Sequence, residues 1–424
     1  MRKAIFVVIV SFALAGCGQV PTLRQSAPVS HGAGVQHQIV QKGDGSLWVT
    51  YAPQPLHQTM GITQGPDGKM WFTQGQGVVG SVDMNGTIVE YFVSQAPVQI
   101  IEGPDRALWF AEARNTFGPD IGRITTSGKL TEYQIPFDPN AGLASGPDGN
   151  IWVAGDRRSV EKVTLDGVMT NYPLPHPKHH HSLRGLIGGP DGNVWFTDPG
   201  TNEIGFVTPR GKFTLFEIPT PNSGAAGIAL GPDGNLYFAE SQANKIGVVD
   251  RVGNITEYPV PVSDKGPHYI SEGFSGSSMW FDDQDAATGN YLLRQFIIAT
   301  KTFTPPILPP FADAVPEYLN AGPDGNMWIA DVQGRILVAL THVLTSKPDS
   351  VVLSGVGQSQ TIQIHETQYE GGSFTAKSSN LNIATVSAGN QSNSFVVTAQ
   401  GVGSCSIHVR DRLGNSIDVS VTVQ

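Results

Sequence analysis

Gly231-Pro232-Asp233-Gly234-Asn235-Leu236-Tyr237-Phe238-Ala239-Glu240 is the stretch that decides the fold, because the chain repeats it. Copies stand at Gly65-Pro66-Asp67-Gly68-Lys69-Met70-Trp71-Phe72, Gly146-Pro147-Asp148-Gly149-Asn150-Ile151-Trp152-Val153 and Gly189-Pro190-Asp191-Gly192-Asn193-Val194-Trp195-Phe196. Another is Gly322-Pro323-Asp324-Gly325-Asn326-Met327-Trp328-Ile329, and two degraded copies are centred on Trp109 and Trp280. The aromatic residue falls at 71, 109, 152, 195, 237, 280 and 328, at intervals of 38 to 48 residues. A period of about 40 with strand-like content marks propeller blades. Seven copies predict seven blades.

Each repeat reads as four strands. In the fifth, Gly227-Ile228-Ala229-Leu230 is short and small-sided, as the crowded centre of a radial sheet requires. Pro232-Asp233-Gly234 supplies a turn: proline presets φ, the Asp side chain bonds nearby amides, and glycine accepts a positive φ. Leu236–Ala239, Lys245–Val249 and Ile255–Pro259 complete the blade, with Pro259 tolerable on an outer edge. Outer strands of this type occur six times, beginning at Ile88, Leu130, Met169, Phe213, Ile255 and Phe303. The seventh repeat has none, while Leu47-Trp48-Val49-Thr50-Tyr51 precedes the first repeat without a partner. Residues 44–52 are therefore expected to close the last blade, sealing an open sheet edge. The fold class is all-β: a propeller over 35–343 and a smaller module after it.

Fifty glycines and thirty prolines agree with many tight turns. The formal charge is −10, or −12 without Arg2 and Lys3, and no Lys/Arg stripe offsets it, which argues against nucleic-acid binding. Met1-Arg2-Lys3 followed by an apolar run to Ala15 reads as an export signal too short to span a bilayer. Leu14-Ala15-Gly16-Cys17 resembles a lipoprotein cleavage box, so residues 1–17 are expected to direct lipidation of Cys17 and membrane attachment at the cell envelope. Residues 18–34, rich in Gln, Ser, Pro and Gly, read as a flexible tether. With Cys17 lipidated, Cys405 has no intramolecular disulfide partner. A monomer is expected.

From about Ser346 short alternating strands replace the repeat. Turn signals every ten residues or so over 346–424 fit an immunoglobulin-like sandwich. Asn382-Ile383-Ala384-Thr385-Val386 followed by Ala399-Gln400-Gly401-Val402-Gly403-Ser404 resembles bacterial Ig-like domains of surface proteins. Cys405 alternates with Ile407 and Val409, as a packed apolar thiol would. The module reads as a spacer or adhesion unit.

Aligning the blades gives candidate site residues. Two positions before the apolar residue of each innermost strand stand Met60, Val98, Ala141, Arg184, Ala226, His268 and Glu317, predicted to ring one channel mouth. Three residues after each aromatic stand Gln74, Glu112, Gly155, Asp198, Glu240, Asp283 and Asp331, predicted on the same face. His268 and Glu317 are the candidate catalytic pair. Arg184, Glu240, Asp283 and Asp331 are candidate ligand-binding residues, the last three also candidate ligands for a hard cation. The alternative is structural: Glu240 could pair with Asn244-Lys245, and His268 could be an isolated channel residue. His176, His179, His180 and His181 form a cluster beside Arg184, read as a solvated loop against the alternative of metal binding. Asp282-Asp283-Gln284-Asp285 with the following Ala286–Asn290 lengthens blade 6, as a channel lip or a tolerated insertion.

The repeat unit, with Asn244-Lys245-Ile246-Gly247 and Ile255-Thr256-Glu257-Tyr258-Pro259, resembles virginiamycin B lyase over residues 44–340. That resemblance implies a seven-bladed propeller that opens a cyclic depsipeptide by elimination at an ester bond, with a divalent cation such as Mg²⁺. The family's catalytic pattern has Pro-His at one blade entrance, Glu-Pro-His at the next, and a Glu after the following second strand. Pro267-His268 matches the first element, Val315-Pro316-Glu317 stands at the second, and Val332 replaces the last Glu. The expected function is an exported propeller that binds a small molecule or partner at its channel mouth without lyase activity. The alternatives are a lyase or hydrolase using His268 and Glu317, and a surface scaffold.

Overall fold

The computed structural model describes residues 22–25, 29–31, 38–41 and 47–424, apart from 53–56, 85, 114–120, 136–141, 155–158, 177–180, 262–265, 275, 286, 341–343, 367–373, 392 and 412–415. The Cys17 box lies outside the described residues. Every regular element among them is a β-strand, arranged in nine sheets.

Seven sheets follow one antiparallel plan, in which each repeat's own strands run from innermost to outermost in chain order. Blade 5 is typical, with Ala225–Leu230, Leu236–Glu240, Lys245–Val249 and Ile255–Pro259. The repeated Asp is structural. Its Oδ1 accepts a hydrogen bond from its own tryptophan Nε1, at 3.0 Å for Asp67 and Trp71 and at 2.9 Å for Asp148 and Trp152. In blade 5 the Tyr237 hydroxyl donates to Asp233 instead, at 2.8 Å. The leading glycine lets the indole lie against the turn: a Cβ on Gly65 would fall 2.3 Å from Trp71 Cδ1. A buried N–H on a large ring requires such an acceptor, and the repeat supplies it four residues upstream.

Blade 7 closes as expected. Leu47–Tyr51 pairs with Arg335–Ala339, Ile336 opposite Tyr51 and Ala339 opposite Trp48. Tyr51 stacks on Trp328 at 5.4 Å and 5° between planes, as Tyr91 does on Trp71 and Tyr133 on Trp109. A strand made before the first repeat thus supplies the fourth strand of the last blade.

The tether expected over 18–34 differs from what the structure places there. Thr22–Gln25 pairs with the outer strand of blade 2, and Val29–His31 with that of blade 1. Gln38–Gln41 lies outside Leu47–Tyr51 on blade 7. These segments satisfy outer-edge amides that would otherwise face water. Their composition hid them, because backbone pairing needs no alternation of side chains.

Residues 344–423 form two further four-stranded sheets, beginning two residues earlier than the sequence boundary. One contains Ser359–Glu366 and Ser394–Ala399; the other contains Gly403–Asp411 and Ser416–Val423, with Ser350–Leu353 running parallel to the last. Val351, Ile362, Val397, Ile407 and Val421 from both sheets share one core. Cys405 is half-buried and packs against it.

Candidate functional site

The innermost strands line a central cavity of about 570 Å³. Its waist is aliphatic, since every blade contributes at least one Ile or Leu, from Ile62 in blade 1 to Leu319 in blade 7. Polar side chains occur at both ends, with Thr63, Ser145, Glu272 and Asn320 where these strands finish and a second group where they begin. Arg184 and His268 line the cavity there, with Tyr269 and Tyr318 beside them. The Tyr269 and Tyr318 rings lie 4.9 Å apart. Burial raises the Tyr269 hydroxyl well above its ordinary value. The structure brings Arg184 and His268 to one cavity, while Glu317, next to Tyr318 in the chain, is not among its lining residues. Burial pushes the Glu317 carboxyl up to about 7.

The acidic row behaves differently. Glu240, Asp283 and Asp331 are completely buried inside separate blades rather than aimed at the channel. Asp331 accepts hydrogen bonds from Val315 N, Gln333 N and Arg335. Asp283 pairs with Arg294. Glu240 sits beside Glu257 and Lys245; burial first, and then the Glu257 charge, push it up to about 8. Asp331 is thus taken up by an incoming loop amide and an arginine and Asp283 by Arg294 and Gln284 N, whereas both Glu240 oxygens are buried without a hydrogen-bond partner. Among the described residues no three His, Cys, Asp or Glu side chains are grouped to hold a metal ion. The donors present at the mouth thus do not fit a protein-held Mg²⁺.

The histidine cluster also differs from a solvated loop where it is described. His181 is buried, with Nδ1 2.5 Å from Asp198 Oδ2 and Nε2 2.9 Å from the Pro175 carbonyl oxygen. It anchors the loop that delivers Arg184. His179 and His180 lie outside the described residues. In blade 6 the inserted segment folds on itself, Asp285 accepting from Ala287 N and Thr288 N, and Gln284 donating to the Gly289 carbonyl.

One residue escaped the sequence reading. Asp282 Oδ1 accepts from His268 N and Tyr269 N at 2.9 and 2.6 Å, and its Oδ2 lies 3.8 Å from His268 Nδ1. Complete burial pushes its carboxyl up to about 7. The aligned positions are Thr73, Ala111, Ala154, Thr197, Ala239 and Ala330, so an acid here was a readable departure. Tyr269 and Tyr318 are departures too, standing where blades 1, 3, 4 and 5 have Gly61, Gly142, Gly185 and Gly227.

Comparisons with known proteins follow the same map. Residues 50–338 match the model of the virginiamycin B lyase family. No curated protein matches the sequence. A streptogramin B lyase structure is 28% identical, with a TM-score of 0.62 over 69% of this chain and 97% of that one. A catalytically inactive variant of virginiamycin B lyase from Staphylococcus aureus with quinupristin is also 28% identical, with a TM-score of 0.60 over 72% of this chain and 98% of that one. The extracellular domain of a hybrid two-component system from B. thetaiotaomicron shares the fold at 11% identity, with a TM-score of 0.55 over 91% of this chain and 61% of that one.

Proposed function

The chain belongs to the virginiamycin B lyase family, and from that premise we propose that it is an exported propeller that binds a small molecule at its His268 mouth without opening a streptogramin ring. Attachment to the cell envelope through Cys17 belongs to the same reading, as does an Ig-like spacer or adhesion role for residues 346–424. One observation carries it: Arg184, His268 and the Tyr269–Tyr318 pair line a single cavity of about 570 Å³, within the range of small-molecule sites. Against ring opening stand Val315 and Val332 at positions where the resemblance calls for Glu, and Glu317 where it calls for His. Losing a general acid or base costs ~10²–10⁴ in rate. The binding step as proposed uses no cation.

A second reading has its own support. Asp282 holds the His268 backbone and lies beside its ring, and Glu317 titrates near neutrality, where a general base is effective. Purified full chain incubated with quinupristin and Mg²⁺ separates the two. The expected outcome is quinupristin of unchanged mass; a linear product that His268→Ala abolishes would overturn the binding-only reading.

A further inference from the structure

The N-terminal strands decide where the chain leaves the ring. In blade 2 the innermost strand begins at Ala96, which lies opposite Ala113. Two residues earlier on that second strand Ala111 faces Ile121, and Ile121 in turn faces Tyr133 of the outer strand. The Tyr133 end of the outer strand is therefore level with the channel mouth, since His268 likewise precedes an innermost strand. Thr22 pairs with Glu132 and Gln25 with Lys129, so Thr22–Gln25 starts at the mouth level and runs away from it. Glu132 fixes that level. Its two carboxylate oxygens accept from Ser94 N and Ser94 Oγ, both at 2.8 Å, and Ser94 lies in the loop that delivers Ala96–Glu102.

Thr22 stands five residues after Cys17, the cysteine of the lipoprotein box. Five residues of fully extended chain span at most ~18 Å. The outer strand Lys129–Tyr133 is itself ~17 Å long. A chain from Cys17 would be used up in passing that strand, and could not bring the opposite face, with its Pro-Asp-Gly turns, to a bilayer. Were the ring to begin only at Leu47, the thirty residues from Cys17 would reach ~100 Å and leave the orientation open. Instead Val29–His31 and Gln38–Gln41 pair with blades 1 and 7, so backbone bonds fix the N-terminal chain at three neighbouring blades.

We propose that the mouth face of the propeller is its membrane-facing surface, with its blade 2 edge held within ~18 Å of a bilayer by acylated Cys17. The partner is a lipid surface, and the proposal rests on the envelope attachment put forward above. Arg184, exposed at that mouth, presents a guanidinium to the phosphates of lipid head groups. A ligand enters from the gap between ring and bilayer. That gap admits small molecules and amphiphiles at the lipid surface, but not a folded domain, whose radius of gyration is ~13 Å at 100 residues.

The full-length lipidated chain in vesicles of phosphatidylethanolamine and phosphatidylglycerol tests this. Blade 5 carries exposed residues in the turns at both ends of Lys245–Val249, Gln242 on the mouth side and Val252 on the other. Gln242→Cys and Val252→Cys, each in a Cys405→Ser background, take a fluorophore that a nitroxide on the lipid head group quenches. Melting curves establish that each variant is folded. Quenching at 242 is expected to exceed that at 252 several-fold, and a Gly-Ser insert of about 40 residues after Gly18 is expected to remove the difference. Equal quenching at the two positions, stronger quenching at 252, or a difference that survives the insert would overturn the proposal. Mass analysis of the N-terminal peptide separates the two readings. An unacylated Cys17 removes the envelope attachment and this proposal with it, whereas acylated Cys17 with equal quenching removes this proposal alone.

Discussion

Blades 5 and 6 are neighbours on one plan, yet they divide the molecule's tasks. Blade 5 keeps every repeat position: Gly227 admits the next strand, Ala239 follows Phe238, and Asp233 takes the Tyr237 hydroxyl. Blade 6 breaks them in turn, with Tyr269 for glycine, Asp282 for Thr or Ala, and an extension before Tyr291. The regular blade maintains the ring; the irregular one furnishes the mouth. In a repeat protein, departures from the repeat are where function is to be sought.

The comparison breaks most visibly if the regular blade proves dispensable. Phe238 is completely buried and lies over Gly247, whose added Cβ would sit 2.1 Å from the ring. Phe238→Ala is expected to cost about 3–5 kcal/mol in urea unfolding, since a cavity joins the lost transfer energy. A loss below about 1 kcal/mol would show that blade 5 is not a keystone of the ring.

Glu240 sharpens it next. Its carboxyl is raised in the folded state to about 8, so the native protein holds a proton that the unfolded chain gives up. That stability is fully present below the ordinary carboxyl value of 4.5 and declines as pH rises towards 8. Glu240→Gln should therefore be more stable than the parent at pH 8, by roughly 1–3 kcal/mol, with the gap closing near pH 4. Thermal melts across that range check the sign.

Asp282→Thr restores the repeat residue in blade 6. In blade 4, Thr197 Oγ1 accepts from Gly185 N at 2.9 Å, so threonine can serve one of the two amides that Asp282 serves. The expected loss is about 1 kcal/mol at pH 5, shrinking by pH 8, because the aspartate's raised carboxyl favours the fold only while protonated. A loss that grows with pH would contradict this.

The smallest effect is in blade 2, where Arg106 takes the glycine place of the turn at φ 56°. Arg106→Gly relieves the left-handed strain but gives up the Arg106 Nη2 bond to the Pro66 carbonyl, 3.2 Å long. A net gain of about 0.5–1 kcal/mol by chemical denaturation is expected.

Most of the ring was legible because its signals are local and periodic. The Pro-Asp-Gly turns, the recurrent aromatics and the orphan Leu47–Tyr51 each carry a side-chain pattern. Thr22–Gln25 and Val29–His31 carry none, since their pairing runs through backbone groups. At the mouth, alignment of the blades singled out His268 and Arg184, which line the cavity, and Glu317, which is not among its lining residues. Asp283, Asp331 and Glu240 were misdirected: strand position gives the level along the channel axis, but loop amides and arginines decide where a carboxylate points. Asp282 was missed because the acidic row one position later drew attention from the Thr/Ala column it interrupts.

Closure through Leu47–Tyr51 also sets a timetable. Trp48 cannot reach Ala339 until the seventh repeat has been synthesised, so a strand made before the first repeat waits for the last repeat. Fragments ending before that point would leave both lips of the ring unpaired, and pairing across so long a stretch of chain slows completion of the ring.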